Sequence, residues 1–122
     1  MRLLIAAATA LVIGGGAANA ACTVEDLEGR WTMNQTNRSE ICAVRIADDG
    51  KIEGTCRTYK KTKVTTTKSV QGAIDITNRC TVDGRLKVGD TTRSFGGKAD
   101  ADMSMITGVI FRHSGFLAYR NN

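Results

Sequence analysis

The sequence contains no proline, one histidine and one tryptophan. The shortage of aromatic rings argues against a ligand-binding pocket, and the single histidine argues against a histidine-based catalytic site. Aromatic residues make up 5% of the chain, so a deep, aromatic-lined ligand pocket is poorly supplied. The histidine, His113, precedes Ser114 and Gly115 in a run typical of a tight loop. A serine beside a histidine in sequence is not a triad, because base, nucleophile and orienting group must meet in space.

Several short catalytic and metal-binding motifs are also missing. The chain has no CxxC, HExxH or GxSxG pattern and no glycine loop that could cradle a phosphate. We therefore expect a non-enzymatic protein with no catalytic residue, no metal and no cofactor.

The first twenty residues have the plan of a secretory signal peptide. Arg2 precedes the apolar run Leu3 to Ile13, and Ala18-Asn19-Ala20 supplies the small-x-small pattern read by signal peptidase. The run is too short for a bilayer, which needs about 20 apolar residues, so we expect no membrane span. We expect cleavage near Ala20 and a periplasmic or secreted bacterial protein. The alternative, a lipoprotein acylated at Cys22, is opposed by Asn19, where lipoproteins usually carry leucine.

All four cysteines follow this segment, in the part of the chain that would reach an oxidising compartment. An even number there predicts two disulfides rather than a metal site. A hairpin closed around Asp48-Asp49-Gly50, with Ala47 opposite Lys51, places Cys42 directly opposite Cys56. We therefore pair Cys42 with Cys56. By elimination Cys22 joins Cys80, although four cysteines allow two other pairings.

Residues 21–122 alternate short β-rich runs with Gly, Asp, Asn or Ser, which predicts a single all-β domain. The number and spacing of the runs favour a small eight-stranded antiparallel up-and-down barrel, or a two-sheet sandwich. A short helical turn over Val24 to Glu28, capped by Thr23 and Asp26, would precede the first strand. The candidate strands are approximately residues 30–36, 40–47, 51–59, 63–70, 72–78, 79–82 with 86–88, 91–99, 104–111 and 116–120.

Glycines in two of these strands suggest irregularities. Asp83-Gly84-Arg85 is interpreted as a loop that interrupts a strand, and Gly96-Gly97 as a bulge or barrel bend.

Two charge clusters could carry function. Asp100 and Asp102 would share one face of a strand and could act together or hold calcium, but solvated surface carboxylates are the stronger interpretation. A basic stripe could serve as an electrostatic docking surface, but lysines placed on solvent faces and edge strands to discourage aggregation are the stronger interpretation. The stripe consists of Arg57, Lys60, Lys61, Lys63 and Lys68.

The net charge of +5 loses one unit when Arg2 is removed. Outside the cytoplasm, this mild excess favours an acidic protein or an anionic envelope surface over nucleic acid as partner.

Both ends of the domain resemble a known family. The run from Asp26 to Thr32, DLEGRWT, followed by Ile41-Cys42, resembles the opening of the periplasmic alkaline metalloprotease inhibitors of Gram-negative bacteria, and Gly115 to Arg120 resembles their closing strand. The Gly-x-Trp-Thr opening is also similar to avidins and lipocalins. The middle of the chain lacks the family's tryptophan and proline-rich segment, and Cys22 and Cys80 have no counterpart there.

The resemblance implies an eight-stranded barrel whose N-terminal segment enters a protease cleft. In this chain that segment would be Ala21, Cys22, Thr23, Val24 and Glu25, and a bridge at Cys22 would restrain it. Trp31 is expected to close the barrel floor rather than to contact a ligand.

We therefore expect an exported binding protein, monomeric and with a protein partner, that inhibits a secreted protease by steric occlusion. The alternatives are a small-ligand carrier of the lipocalin or avidin type, and an envelope or host-interaction factor with a basic docking face. A sizeable internal cavity would favour the carrier, and a barrel filled by side chains would favour the inhibitor.

Overall fold

The computed structural model describes residues 21–35, 39–110 and 114–121, and in them eight antiparallel strands close into a barrel. Each strand pairs with its sequence neighbours, and the first pairs with the last, so the predicted up-and-down barrel is confirmed and no sandwich forms. Residues 1–20, which are predicted to be a signal peptide, and His113 lie outside the described residues. The strands are β1 Gly29–Gln35, β2 Glu40–Ile46, β3 Lys51–Lys60, β4 Lys63–Ile76, β5 Thr81–Val88, β6 Thr91–Ala99, β7 Met105–Ile110 and β8 Ser114–Asn121.

A 3-10 turn, Val24–Leu27, precedes β1 at one end of the barrel. The Thr23 amide donates to the Asp26 carboxylate over 2.9 Å, which is one half of the predicted cap. Across the described ranges, no helix is long and apolar enough to cross a membrane.

Side chains alternate between the barrel interior and its outer wall. In β2, Glu40, Cys42, Val44 and Ile46 are buried while the residues between them are exposed, because successive Cβ atoms of a strand point to opposite faces. The inward side chains of all eight strands form one buried cluster. Its largest fully buried members are Trp31, Leu27, Leu86, Ile110, Val70, Val82, Val88 and Cys56.

The β2–β3 hairpin has the predicted register. The Ala47 amide donates to the Lys51 carbonyl over 2.8 Å, and Gly50 takes the left-handed conformation that ends such a loop, with φ +92°. Cys42 then lies opposite Cys56, and the two form a disulfide with their Cα atoms 3.9 Å apart.

The second disulfide joins Cys22 to Cys80, as expected, across a sequence separation of 58 residues. The Cys22 amide also donates to the Asn78 carbonyl over 3.4 Å. Together these bonds fix the segment before the 3-10 turn to the β4–β5 loop.

The predicted loop at Asp83-Gly84-Arg85 is wrong, because β5 runs through it without a break. Gly84 pairs with Ile74 on one side and Phe95 on the other. A Cβ at this position would overlap the Ala73 carbonyl oxygen and the ring of Phe95. Gly84 therefore leaves room for the aromatic ring of Phe95 and does not form a turn.

Two further details differ from the sequence expectation. Residues 63–70 and 72–78 are not separate strands, since β4 continues through Gly72. No bulge occurs at Gly96-Gly97, where pairing with both neighbouring strands is regular. The ladder shifts instead in the β3–β4 pair, between Thr58 and Tyr59.

Candidate functional site

The end of the β3–β4 hairpin extends beyond the rim of the barrel. β4 pairs with β3 along nearly its whole length, but its pairing with β5 begins only at Val70. Residues 60–69 are all exposed, on both faces of the ribbon. We name residues 57–69 the cationic arm.

The arm carries the whole basic stripe predicted from the sequence. No acidic residue lies between Glu53 and Asp75, and within the described residues none of the five cations forms an ion pair. Lys60 lies directly opposite Lys63 in the ladder, an arrangement of like charges that costs stability. All five cations are exposed: Arg57, Lys60, Lys61, Lys63 and Lys68.

The arm has one open backbone edge. The Ser69 carbonyl accepts a hydrogen bond from the Gly89 amide over 3.0 Å, beside the end of the β4–β5 ladder. Because N–H and C=O groups of a strand alternate in direction, those of Thr67 point the same way as those of Ser69. Beyond Ser69, β4 has no described strand on that side, so the Thr67 groups face an open edge.

A buried polar cluster lies inside the barrel beneath the arm. Glu40, opposite Thr58 at the base of the arm, accepts from Arg93 over 2.7 Å and from the Gln35 amide over 3.1 Å. Glu40 and Arg93 are only 6% and 4% exposed. The sequence analysis missed this cluster, although the alternation of buried residues along β2 could have revealed that Glu40 points inward.

This cluster has no metal chemistry of its own. The Glu40 carboxylate lies close to the sulfur atoms of Cys42 and Cys56, a grouping that could resemble a metal site. Both sulfur atoms are bound in a disulfide, however, and a disulfide lacks the thiolate that a metal needs. The ion pair is therefore a structural element of the barrel interior.

The opposite end of the barrel is sealed by Trp31 and Arg120. The Trp31 ring is 1% exposed, and its Nε1 donates to the Leu27 carbonyl over 2.9 Å. The Arg120 guanidinium lies 4.7 Å from the ring centroid and donates to the Asp26 and Glu28 carbonyls, both over 2.6 Å. Trp31 thus has the floor-closing position expected of it.

The predicted partner-binding segment lies at this sealed end. Ala21, Thr23 and Glu25 are exposed, whereas Cys22 and Val24 are half-buried. The segment is fixed to the β4–β5 loop. The cationic arm includes the β3–β4 turn and lies at the other end of the barrel. The two predicted sites are therefore not brought together.

Asp100 and Asp102 do not lie on a strand, because β6 ends at Ala99. Both carboxylates turn back onto Ser104, whose amide donates to Asp100 over 3.0 Å and whose hydroxyl donates to Asp102 over 2.7 Å. The hydrogen bond from the Ser104 side chain is the main reason that the pKa of Asp102 lies below its usual range. The two carboxylates stabilise their own turn, so we assign them no ligand.

The barrel interior is occupied by side chains. Met33 is 7% and Phe116 4% exposed, and the Phe95 and Phe116 rings meet edge to face with centroids 5.9 Å apart. Two open clefts of about 690 and 680 Å³ share Arg45, Glu53 and Gln71, which are all exposed.

The chain matches no protein-family model, no curated protein and no solved structure. Its function is therefore inferred from its own residues.

Proposed function

We propose that this chain is a non-enzymatic binding protein of an oxidising compartment outside the cytoplasm, and that it docks an acidic protein partner through the cationic arm. The observation that carries the proposal is the concentration of five exposed cations at the end of the β3–β4 hairpin, in a stretch with no acidic residue between Glu53 and Asp75. Such a concentration steers an oppositely charged partner and accelerates its association.

The position of the charges supports a docking role over simple solubility. A solubilising surface intersperses both signs of charge, as the barrel wall does where Arg45 lies opposite Glu53. The arm instead faces Lys60 with Lys63 and leaves all five cations without an ion pair among the described residues. This arrangement lowers the stability of the free protein, and binding of an anionic partner would offset that loss.

The two disulfides support the compartment. Both pairs are formed, which is typical of proteins outside the reducing cytoplasm. Export by a cleaved signal peptide would deliver the chain there. The Cys22 sulfur is bonded to Cys80, so it is not free to carry a lipid, which disfavours the lipoprotein alternative.

Charge reversal on the arm tests the proposal. The variant K60E/K61E/K63E is compared with K51E/K87E/K98E, which makes the same net charge change at exposed positions of the barrel wall. The probe is a fluorescent seven-residue peptide of alternating glutamate and valine, with anisotropy recorded at several salt concentrations. We expect the arm variant to lose at least about 10-fold in affinity and most of its salt dependence, and the wall variant to lose far less.

Equal losses in the two variants would contradict docking through the arm. Tighter binding of the wild-type protein to vesicles containing phosphatidylglycerol, or to DNA, than to the acidic peptide would contradict a protein partner.

Inhibition of a secreted protease by steric occlusion is a second candidate, favoured by the N-terminal segment. Ala21, Thr23 and Glu25 are exposed on a backbone held by the Cys22–Cys80 bridge, and such preorganisation lowers the entropy lost on binding. Titration against serralysin-type and other secreted proteases should show inhibition that C22S/C80S weakens and K60E/K61E/K63E leaves unchanged. Absence of inhibition across the panel would remove this candidate.

A further inference from the structure

We infer that the open edge of β4 accepts an extended acidic segment of the partner as an added β-strand. The inference rests on the proposed function and specifies how the partner binds. The receiving groups are the amide and carbonyl of Thr67, which lies between Ser69 and the register shift at Thr65.

The backbone geometry provides the template. The Ile74 amide donates toward the β2–β3 side, to Gly50 over 2.9 Å, whereas the Ser69 carbonyl accepts from Gly89 on the β5 side. The alternation of backbone groups from these two hydrogen bonds directs the Thr67 groups to the β5 side, where no described strand pairs with them. A row of unpaired backbone groups at a strand edge is a template for β-strand addition.

The open edge arises from the difference in strand length. Most described residues of the barrel wall pair with a strand on both sides, whereas β4 continues beyond the last residue of β5 that pairs with it. The chain has no proline anywhere to block the edge. Thr65, Thr66 and Thr67 are β-branched residues, which favour extended backbone in an added strand pair.

The charges select the incoming strand. Thr67 lies opposite Arg57 in the ladder, and Lys68 is the next residue of β4, on the other face of the ribbon. An incoming strand of roughly five residues would therefore find a cation on each of its faces. Two copies of this edge repel each other, so the same lysines that attract an acidic strand oppose self-association.

A proline at position 67 separates the backbone contribution from the charge. Thr67→Pro removes the outward N–H, keeps all five cations, and removes no bond to β3, because that N–H points away from β3. Thr67→Ala is the matched control, since it loses the same side chain but keeps the N–H. With the alternating glutamate and valine peptide as probe, we expect T67P to bind at least about 10-fold more weakly than T67A.

A second measurement leaves the protein unchanged. The same peptide, N-methylated at alternate amides, cannot pair along its methylated edge and should bind the wild type at least about 10-fold more weakly than the parent peptide. Binding of the parent should also slow hydrogen exchange of the Thr67 amide. This measurement remains valid even if T67P disturbs the fold of the ribbon.

The outcomes distinguish the two proposals. If T67P and the N-methylated peptide bind as well as their controls while K60E/K61E/K63E fails to bind, strand addition is wrong and charge docking stands. If K60E/K61E/K63E binds as well as the wild type, the proposed function itself is wrong.

Discussion

Arg120 ties four parts of the molecule together through one guanidinium group. Its guanidinium lies over Trp31 and donates to the carbonyls of Asp26, in the 3-10 turn, and of Glu28, just after it. Its Nε donates to the Met103 carbonyl in the β6–β7 loop over 3.0 Å. A planar guanidinium with five N–H donors can make all of these contacts at once, whereas the single ammonium group of a lysine cannot.

Replacing Arg120 should therefore destabilise the sealed end. We expect R120A to lower the free energy of unfolding by about 2 kcal/mol and R120K by a smaller amount, because lysine keeps the charge but not the fork. Urea denaturation followed by tryptophan fluorescence measures the change at Trp31. R85A, at an exposed position, is the control and should change stability little. Equal effects of R120A and R85A would contradict this role.

The buried Glu40–Arg93 pair predicts a non-additive result. R93M leaves the Glu40 carboxylate buried without its partner and should cost about 3 to 5 kcal/mol. In E40Q/R93M the buried charge is gone and the introduced amide can still bond Gln35, so the double variant should be more stable than R93M. Denaturant midpoints of the wild type, E40Q, R93M and E40Q/R93M complete the double-mutant cycle. Additive losses would show that the two residues do not act as a pair.

Residue-level sequence reasoning found the charges of the arm but not this interior pair. The basic residues lie close together in sequence, between Arg57 and Lys68, so their clustering is visible without a fold. Glu40 and Arg93 are 53 residues apart, and their contact depends on barrel closure.

The turn after β6 gives a pH-dependent prediction at the scale of one element. The lowered pKa of Asp102, caused first by the Ser104 side chain, means that the unfolded state binds its proton more tightly than the folded state. The carboxylate therefore stabilises the turn fully above the ordinary pKa of an aspartate, and this stabilisation is lost as pH falls through the lowered value.

S104A should raise the pKa of Asp102 toward its usual range. The stability of the turn should then depend less on pH in the acid range. Carboxyl NMR titration of the wild type and of S104A measures the shift directly. Titration of Asp102 at the same pH in both proteins would show that Ser104 is not the cause.

The two disulfides differ in the length of chain that they close, 58 and 14 residues. In the chain-entropy treatment these closures stabilise by about 4 and 3 kcal/mol. We expect C22S/C80S to lose more stability than C42S/C56S, each measured against the oxidised wild type by thermal unfolding. A larger loss for the short loop would indicate that local packing of Cys42–Cys56 outweighs loop length.

Elements whose partners are near in sequence were the most predictable. The β2–β3 register followed from one loop, since matching Ala47 to Lys51 brought Cys42 opposite Cys56. β5 was divided wrongly because Asp83-Gly84 resembles a turn, whereas Gly84 makes room for the ring of Phe95, a contact between strands. The open edge of β4 was equally hidden, since it depends on where β5 ends beside it.

At the scale of the whole molecule, the barrel wall and the cationic arm should differ in local stability. Gln71 and Thr67 both direct their amides toward the β5 side, but Gln71 has Lys87 opposite it and Thr67 has no described strand there. We expect the Thr67 amide to exchange with solvent at least about 100-fold faster than that of Gln71, as measured by NMR hydrogen exchange. Similar rates would mean that another part of the chain covers the edge.

The two bridges are nested, since the residues of the Cys42–Cys56 loop lie between Cys22 and Cys80. In a chain oxidised as it emerges from its N-terminus, the first two thiols to meet are Cys22 and Cys42, which are not native partners. Maturation therefore requires either that the β2–β3 hairpin forms before oxidation or that an isomerase exchanges a mispaired bridge.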